Sequence, residues 1–305
     1  MTSPSHGFDD DAETRRLLRR PPTDAALSWV ESATGHRVAE WSVLRGGTSS
    51  AMYAVDLDSD SAARMVLRCY VRPNLNEEEP DLARREAAAL RVAATTGLVT
   101  PELIAIDAAG EVVGVPALLM TWLPGQVVWD PKAPMPWLRR LAEILPYVHD
   151  AEPDRPGVGQ YFNYEQDSYE PPKWAADQSM WERALTIFHG PVLDTNRCFV
   201  HRDFHPGNVL WRRGQVTGVV DWQSACLGPP SIDTAHCRAN LLLYAHELAD
   251  HFTQLVEDAT GRSFHPWGDI ATIIGMLEQL RNSPPRPAAR RAIDEVIARA
   301  VVACE

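Results

Sequence analysis

The chain has 305 residues, 45% of them apolar and 23% charged, the balance of a globular protein with a sizeable core, which excludes disorder as its dominant state. Its 41 acids against 29 bases leave a net charge of −12; that excess repels nucleic-acid backbones and anionic membranes, and no stretch holds the roughly 18 apolar residues of a membrane span. The acidic opening MTSPSHGFDDDAE lacks the apolar core of a signal peptide, and five scattered cysteines without a C-x-x-C pair indicate a reduced, cytoplasmic protein.

Residues 1–22, polar and closing on Arg20-Pro21-Pro22, are predicted to form a mobile tail holding at most one short helix. An amphipathic helix over 24–32 follows and is stopped by Gly35. The period then becomes that of strands. VAEWSVLRGGTSSAMYAVDLD reads as a strand, a glycine-containing turn and a returning strand, and SAARMVLRCYV as a third. After an acidic turn at 74–79, PDLARREAAALRVAATTG is an Ala- and Leu-rich helix ended by Gly97, and LIAID with VPALLMTWL forms another hairpin. These elements predict a small α+β unit over 23–123, punctuated by Pro124-Gly125.

The remainder, 124–305, is predicted to be mainly helical. WLRRLAEILPYVHDAE has a helical pattern that Pro146 should kink. Residues 151–181 mix prolines, glycines and aromatics without a period, and FVHRDFHPGNVLWRRGQVTGVVDW is a short β-rich stretch. Helices resume from about 232 and are broken at Pro266 and at 284–287. Within 200–222, the runs VLW and VTGVVDW flank Arg212, Arg213, Gly214 and Gln215, a hairpin signal. A loop, a hairpin and a terminal carboxylate would bring Asp203, Asn208 and Asp221 to one edge. Phosphoryl transfer needs such a set: one base for a substrate hydroxyl, and two oxygen ligands holding Mg²⁺ against nucleotide phosphates. A second reading stays open at this point. His201, Asp203 and His205 alternate as on one strand face, a trio able to ligate a metal in a hydrolase.

HRDFHPGNVLW followed by VVDW resembles the catalytic loop and metal-binding segment of the aminoglycoside phosphotransferase and choline kinase group. GPPSIDTA resembles that group's G-D-P-x-x-D-x-A run, with Asp233 in place of the second aspartate and Pro229 in place of the first. The resemblance covers roughly residues 36–250 and implies an α+β, bilobal protein-kinase-like fold. Its N-lobe would be a small mixed sheet plus helix, and its C-lobe larger and mainly helical. It implies a small-molecule kinase using ATP, with GTP as an alternative donor, together with Mg²⁺ and a small-molecule hydroxyl acceptor. Asp203 would be the catalytic base, Asn208 and Asp221 the metal ligands, His201 a structural residue of the loop, and Asp233 an acceptor of backbone N–H bonds behind it.

For the nucleotide, the resemblance implies phosphate contacts from the turn carrying Thr48, Ser49 and Ser50. It also implies a cation on the third strand, where Arg68 stands instead of the usual lysine. The chain has only two lysines, Lys132 and Lys173, and arginine can grip phosphate through two donors. Glu86 would orient that cation; Met120 would line the adenine pocket, with the Thr121 carbonyl and Leu123 N–H on the adenine edge. The acceptor is expected between Asp203 and the C-lobe helices. The aromatics of 160–181 would form one wall, and Glu247, Asp250, Glu257 and Asp258 would suit a cationic acceptor. Arg68 in place of lysine also admits a nucleotide-binding pseudokinase or regulatory module, against which the intact Asp203, Asn208 and Asp221 argue.

Overall fold

The computed structural model describes residues 12–44, 49–59, 63–152, 157–163 and 169–305. The first helix, α1 (Ala12–Arg19), is the one short helix expected within residues 1–22. Leu18 is buried and the Arg20 carbonyl accepts the Tyr53 hydroxyl at 3.1 Å. Leu17 and Leu18 among arginines make one apolar edge, which packs on the sheet and anchors 12–20. Residues 1–11 lie outside the described residues. In α2 (Asp24–Thr34) the Thr23 hydroxyl accepts the Ala26 N–H at 3.1 Å, and Gly35, at φ 72°, donates its N–H to the Glu31 carbonyl.

Five antiparallel strands follow: β1 (Arg37–Leu44), β2 (Ala51–Asp58), β3 (Arg64–Cys69), β4 (Leu103–Asp107) and β5 (Ala117–Thr121), in the order β1-β2-β3-β5-β4. Two helices interrupt them, α3 (Pro73–Glu78) and α4 (Leu82–Ala93). The expected acidic turn at 74–79 is therefore largely the short helix α3, started by Pro73 in its first turn. Strand alternation decides what each face holds. Leu67, Cys69 and Leu119 join Val30, Tyr53 and Val55 in a core under α2, whereas Val66, Tyr70, Leu118 and Met120 face α4 and the C-lobe. Arg68, between Val66 and Tyr70 in this alternation, is thereby turned to the second face.

The C-lobe begins with α5 (Pro134–Ala142) and α6 (Leu145–His149). The pattern expected to kink at Pro146 divides there, and Pro146 takes the first turn of the second helix, where its missing N–H costs least. Next come β6 (Gly159–Gln160), α7 (Gln178–Phe188), β7 (Cys198–Val200), β8 (Val209–Arg212), β9 (Gln215–Val219) and β10 (Cys226–Gly228). The strands pair as a small sheet β6-β10-β7 and the predicted hairpin β8-β9, turned by Arg213 and Gly214 at φ 52° and 75°. Five helices close the lobe: α8 (Ser231–Tyr244), α9 (Ala249–Thr260), α10 (Trp267–Gly275), α11 (Leu277–Asn282) and α12 (Pro287–Cys304). One continuous core runs from Val66, Leu90 and Met120 through Leu138, Phe204 and Trp222 to Ile270 and Ile297, so the two lobes share buried surface. Among the described residues no helix is long and apolar enough to cross a membrane.

Inside this core Arg238 of α8 faces Asp269 of α10 at 3.4 Å. Burial pushes the Asp269 carboxyl up from 3.8 to about 6, against the pull of Arg238 and Arg299. Between those values the folded chain keeps a proton that the unfolded chain has released. The resulting stabilisation is complete below 3.8 and is lost as pH rises through about 6. At about 1.4 kcal/mol per pH unit this amounts to roughly 2–3 kcal/mol. Asp269→Asn is therefore expected to improve relative to the parent by that amount between about pH 4 and pH 7 in urea denaturation. A difference independent of pH would contradict the raised value.

Candidate active site

The chain leaves β7 at Val200 and makes a sharp turn. His201 and Arg202 donate their backbone N–H groups to the two Asp233 oxygens at 3.0 and 2.6 Å, and His149 Nε2 contacts Asp233 Oδ2 at 3.0 Å. Asp233 is wholly buried and has no lysine or arginine partner among the described residues, so N–H donors carry its compensation. They also hold Arg202 at φ 67°, a left-handed conformation that an L side chain adopts at a cost of about 1–2 kcal/mol. The Arg202 guanidinium donates to the Phe162 carbonyl at 2.6 Å and lies over the Tyr161 and Phe162 rings. Arg202 is thus part of the structure behind the loop.

Beyond this turn Asp203 emerges with its side chain 34% exposed. Asn208 Nδ2 donates to both the Asp203 carbonyl (2.8 Å) and Asp203 Oδ2 (2.9 Å), leaving Asn208 Oδ1 as an acceptor. The Val220 N–H donates to the Asn208 carbonyl at 2.9 Å, and His201 Nε2 reaches the Val220 carbonyl at 2.9 Å. Two bonds therefore tie the residue before Asp221 to the loop carrying Asp203 and Asn208. Asp221 itself is left-handed at φ 66°, a conformation aspartate tolerates better than most residues.

Arg68 joins this edge to the N-lobe. Its Nη1 donates to Glu86 Oε1 at 2.5 Å and its Nη2 to Asp221 Oδ1 at 2.8 Å, and the Tyr70 hydroxyl takes the other Glu86 oxygen. Burial disfavours the Arg68 cation, but the Asp221 and Glu86 carboxylates outweigh it and hold the guanidinium charged. Burial, then Glu86, pushes the Tyr70 phenol far above its usual range. The Ser49 hydroxyl donates to Gln223 at 2.8 Å, just past Asp221. Ser50 Oγ and Arg68 Nε are buried without a hydrogen-bond partner among the described residues. Thr48 lies outside the described residues. Met120 is buried at the end of β5, where the Thr121 hydroxyl accepts the Glu102 N–H and Trp122 donates to the Arg64 carbonyl. The crossing segment is then stapled to the hairpin: Leu123 packs against Gly218, the Thr217 hydroxyl donates to the Pro124 carbonyl, and Gln126 exchanges two bonds with Trp211.

Sequence reasoning missed three residues beside Asp203. His236, one turn after Asp233 on α8, has its Nε2 2.9 Å from Asp203 Oδ1. Trp129 stacks on His205 with ring centroids 5.6 Å apart, and Tyr244 lies 5.0 Å from Trp129. The i, i+3 spacing from Asp233 was the available signal for His236; Trp129 sits in a segment without a period. Gly207 permits the close approach, since a Cβ there would lie 2.9 Å from Trp129 and 2.5 Å from His205. Burial opposes the charged form of Asp203, but His205, the hydrogen bond from His236 and His201 hold its carboxyl well below the usual range.

The alternative metal trio is rearranged. His201 is turned to the Val220 carbonyl, and the groups within 4.8 Å of one another are Asp203, His205 and His236. His205 Nδ1 accepts the Gly207 N–H at 3.0 Å. A metal at Nε2 would put the ring proton on Nδ1 and break the Gly207 bond, which argues against hydrolase chemistry here.

The expected acceptor walls also differ. Of the 160–181 aromatics, Trp181 donates to Asp294, Trp174 to the Leu280 carbonyl, and Tyr161 packs on Trp267, all serving the core; Tyr164 lies outside the described residues. Asp250 pairs with Arg238 and Arg299, Glu257 accepts the Phe264 N–H, Asp258 accepts from Gln254, and Glu247 lies 3.5 Å from His246.

A five-stranded sheet with its helix over a helical lobe, with an H-x-D-x-x-x-x-N loop and a following aspartate between them, is the architecture of kinase-like phosphotransferases. A profile of the phosphotransferase enzyme family matches residues 40–266, and the chain belongs to that family. It is a phosphotransferase with an alcohol group as acceptor. Similar solved structures include a thermostable mutant of aminoglycoside phosphotransferase APH(4)-Ia in complex with ADP and hygromycin B (19% identity, 90% of this chain and 98% of that one, TM-score 0.62). Another is macrolide 2'-phosphotransferase MphH from Brachybacterium faecium, apoenzyme (14% identity, 90% and 98%, TM-score 0.58). A third is a putative aminoglycoside phosphotransferase from Ralstonia eutropha (16%, 93% and 98%, TM-score 0.57). At these identities the likeness establishes the fold. No curated protein sequence matches the chain.

The Arg68–Glu86–Tyr70 cluster yields a stability test. Glu86→Ala leaves a buried guanidinium with one carboxylate and strands the phenol, and a loss of about 3–5 kcal/mol is expected in urea denaturation. Replacing both partners, Arg68→Met with Glu86→Leu, is expected to cost less than Glu86→Ala alone. The opposite order would contradict the reading of the pair as mutual compensation.

Proposed function

We propose that the protein is an ATP-dependent O-phosphotransferase that passes the γ-phosphoryl group to a hydroxyl of a small molecule, with GTP as a second donor. The observation that carries this reading is the single hydrogen-bonded edge joining Asp203, Asn208 and the Val220–Asp221 strand end. Asp203 accepts the acceptor's hydroxyl proton. The acceptor oxygen bonds to the γ-phosphorus as the β,γ-bridging bond breaks, and ADP leaves. Asn208 Oδ1 and the Asp221 carboxylate are hard oxygen donors of the kind Mg²⁺ takes, so these two residues fit the ion. When bound, Mg²⁺ neutralises charge on the β- and γ-phosphate oxygens.

Arg68, oriented by Glu86, serves the α- and β-phosphates, and Ser49, Ser50 and their sequence neighbour Thr48 supply further phosphate contacts. The orphaned Ser50 hydroxyl supports that placement. Met120, with the Thr121 carbonyl and Leu123 N–H, takes the adenine edge. The pairing of Asp250 with Arg238 and Arg299 counts against a polycationic subsite at that residue. Trp129 and Tyr244 favour a ring-bearing hydroxyl compound, within the range of aminoglycoside-like antibiotics and other small metabolites. The protein acts in the cytoplasm.

An ADP-release screen over aminoglycosides, macrolides, choline analogues and sugars tests the proposal. Asp203→Asn is expected to lower turnover about 10²–10⁴-fold while nucleotide affinity, measured by calorimetry, stays near the parent's. Asp221→Ala is expected to remove the Mg²⁺-dependent part of that affinity. Full turnover by Asp203→Asn would overturn the role given to this residue.

A further inference from the structure

Carboxylate catalysis at Asp203 requires its plane to be held, and the side chain is a third exposed on a loop. Asn208 tethers one oxygen only, Oδ2. A carboxylate held by one oxygen still swings about its Cβ–Cγ bond, because that torsion is broad. The second oxygen, Oδ1, has two imidazoles near it. His205 Nε2 stands at 3.7 Å, beyond hydrogen-bond range, with its ring wedged against Trp129 and its Nδ1 committed to Gly207. His236 Nε2 stands at 2.9 Å.

We propose that His236 is a positioning residue for phosphoryl transfer, fixing the Asp203 carboxylate by a hydrogen bond from Nε2 to Oδ1. The inference rests on Asp203 being the base, as proposed above. Its physical basis is the helix that carries His236. Residues three apart on α8 lie on the same face, about 4.5 Å apart along the axis. Asp233 therefore grips the backbone of the catalytic loop while His236 grips its side chain. The helix itself is set in the core. Ser231 at its start is packed so closely on Gly268 of α10 that a Cβ there would lie 2.8 Å from the Ser231 carbonyl oxygen, and Arg238 faces Asp269. The loop thus takes both its path and its side-chain orientation from one rigid element. With each carboxylate oxygen holding one donor, one lone pair on each remains for an incoming hydroxyl.

The test compares His236→Ala, His236→Phe and His236→Gln, the last placing an amide donor at about the reach of Nε2. With the acceptor from the screen, Ala and Phe are expected to lower kcat about ten- to a hundredfold with KM for ATP unchanged, and Gln to recover most of the loss. Crystal structures of the three variants give a readout independent of turnover. Asp203 is expected to leave its rotamer in Ala and Phe and to keep it in Gln. An unchanged Asp203 rotamer in His236→Ala, or a Gln variant as impaired as Ala, would overturn the proposal. If Asp203→Asn is inactive while His236→Ala turns over fully, this inference alone fails; if Asp203→Asn is fully active, the base assignment fails first.

Discussion

The arrangement of the site depends on one buried carboxylate. Asp233 has no exposure and no lysine or arginine partner among the described residues, so its place in the core relies on N–H donors from His201, Arg202 and His149. A buried carboxylate without such donors would be several kcal/mol less favourable, and two of the three donors it recruits are backbone N–H groups of the loop that carries Asp203. The same bonds that satisfy Asp233 hold Arg202 in its left-handed turn and so set where Asp203 leaves the core. Electrostatic necessity inside the lobe thereby becomes geometry at its surface. His201 extends the constraint to the strand end before Asp221 through the Val220 carbonyl.

Arg68 makes a second constraint of the same kind between lobes. A lysine ammonium is a point charge at the end of a flexible stem, whereas a guanidinium presents donors in a fixed fork. Here one arm of the fork meets Glu86 of the N-lobe helix and the other meets Asp221 of the C-lobe. The substitution accordingly keeps the cation where β3 alternation directs it and adds a rigid bridge to the carboxylate opposite. The cation is thus retained, charged and beside Asp221.

Much of this was legible from residue order because the signals were local. The alternation in MVLRCY turns Arg68 to the C-lobe face, and the Gly214 hairpin with the VLW and VTGVV runs forms the strands that carry Asp221 back to Asn208. What escaped was set by tertiary packing. Residues 12–20 look polar in isolation, yet Leu18 finds the sheet and Arg20 finds Tyr53. The 160–181 aromatics have no period, so nothing in their spacing distinguishes a ligand wall from Trp174 and Trp181 stacked edge to face inside the lobe. Likewise an acid on an exposed helix face does not show its partners in the sequence, as Asp250 with Arg238 and Arg299 illustrates.

The two halves of the site therefore differ in how tightly sequence constrains them. The edge with Arg68, Asp203, Asn208 and Asp221 is built from groups whose chemistry admits few substitutes, carboxylates, an amide and a cation at fixed spacings within 68–86 and 201–221. The aromatic side of the loop is built from contacts between segments distant in the chain: Trp129 before α5, His205 in the loop and Tyr244 near the end of α8. Trp129 reaches His205 only because Gly207 has no side chain, and Tyr244 meets Trp129 only because α8 runs on for two turns past His236. Trp129 or Tyr244 could change without disturbing the hydrogen bonds at Asp233, Asn208 or Arg68. A fold of this design can keep its hydrogen-bonded edge while the rings beside it vary, which is why the reaction class is easier to read from the chain than the molecule it modifies.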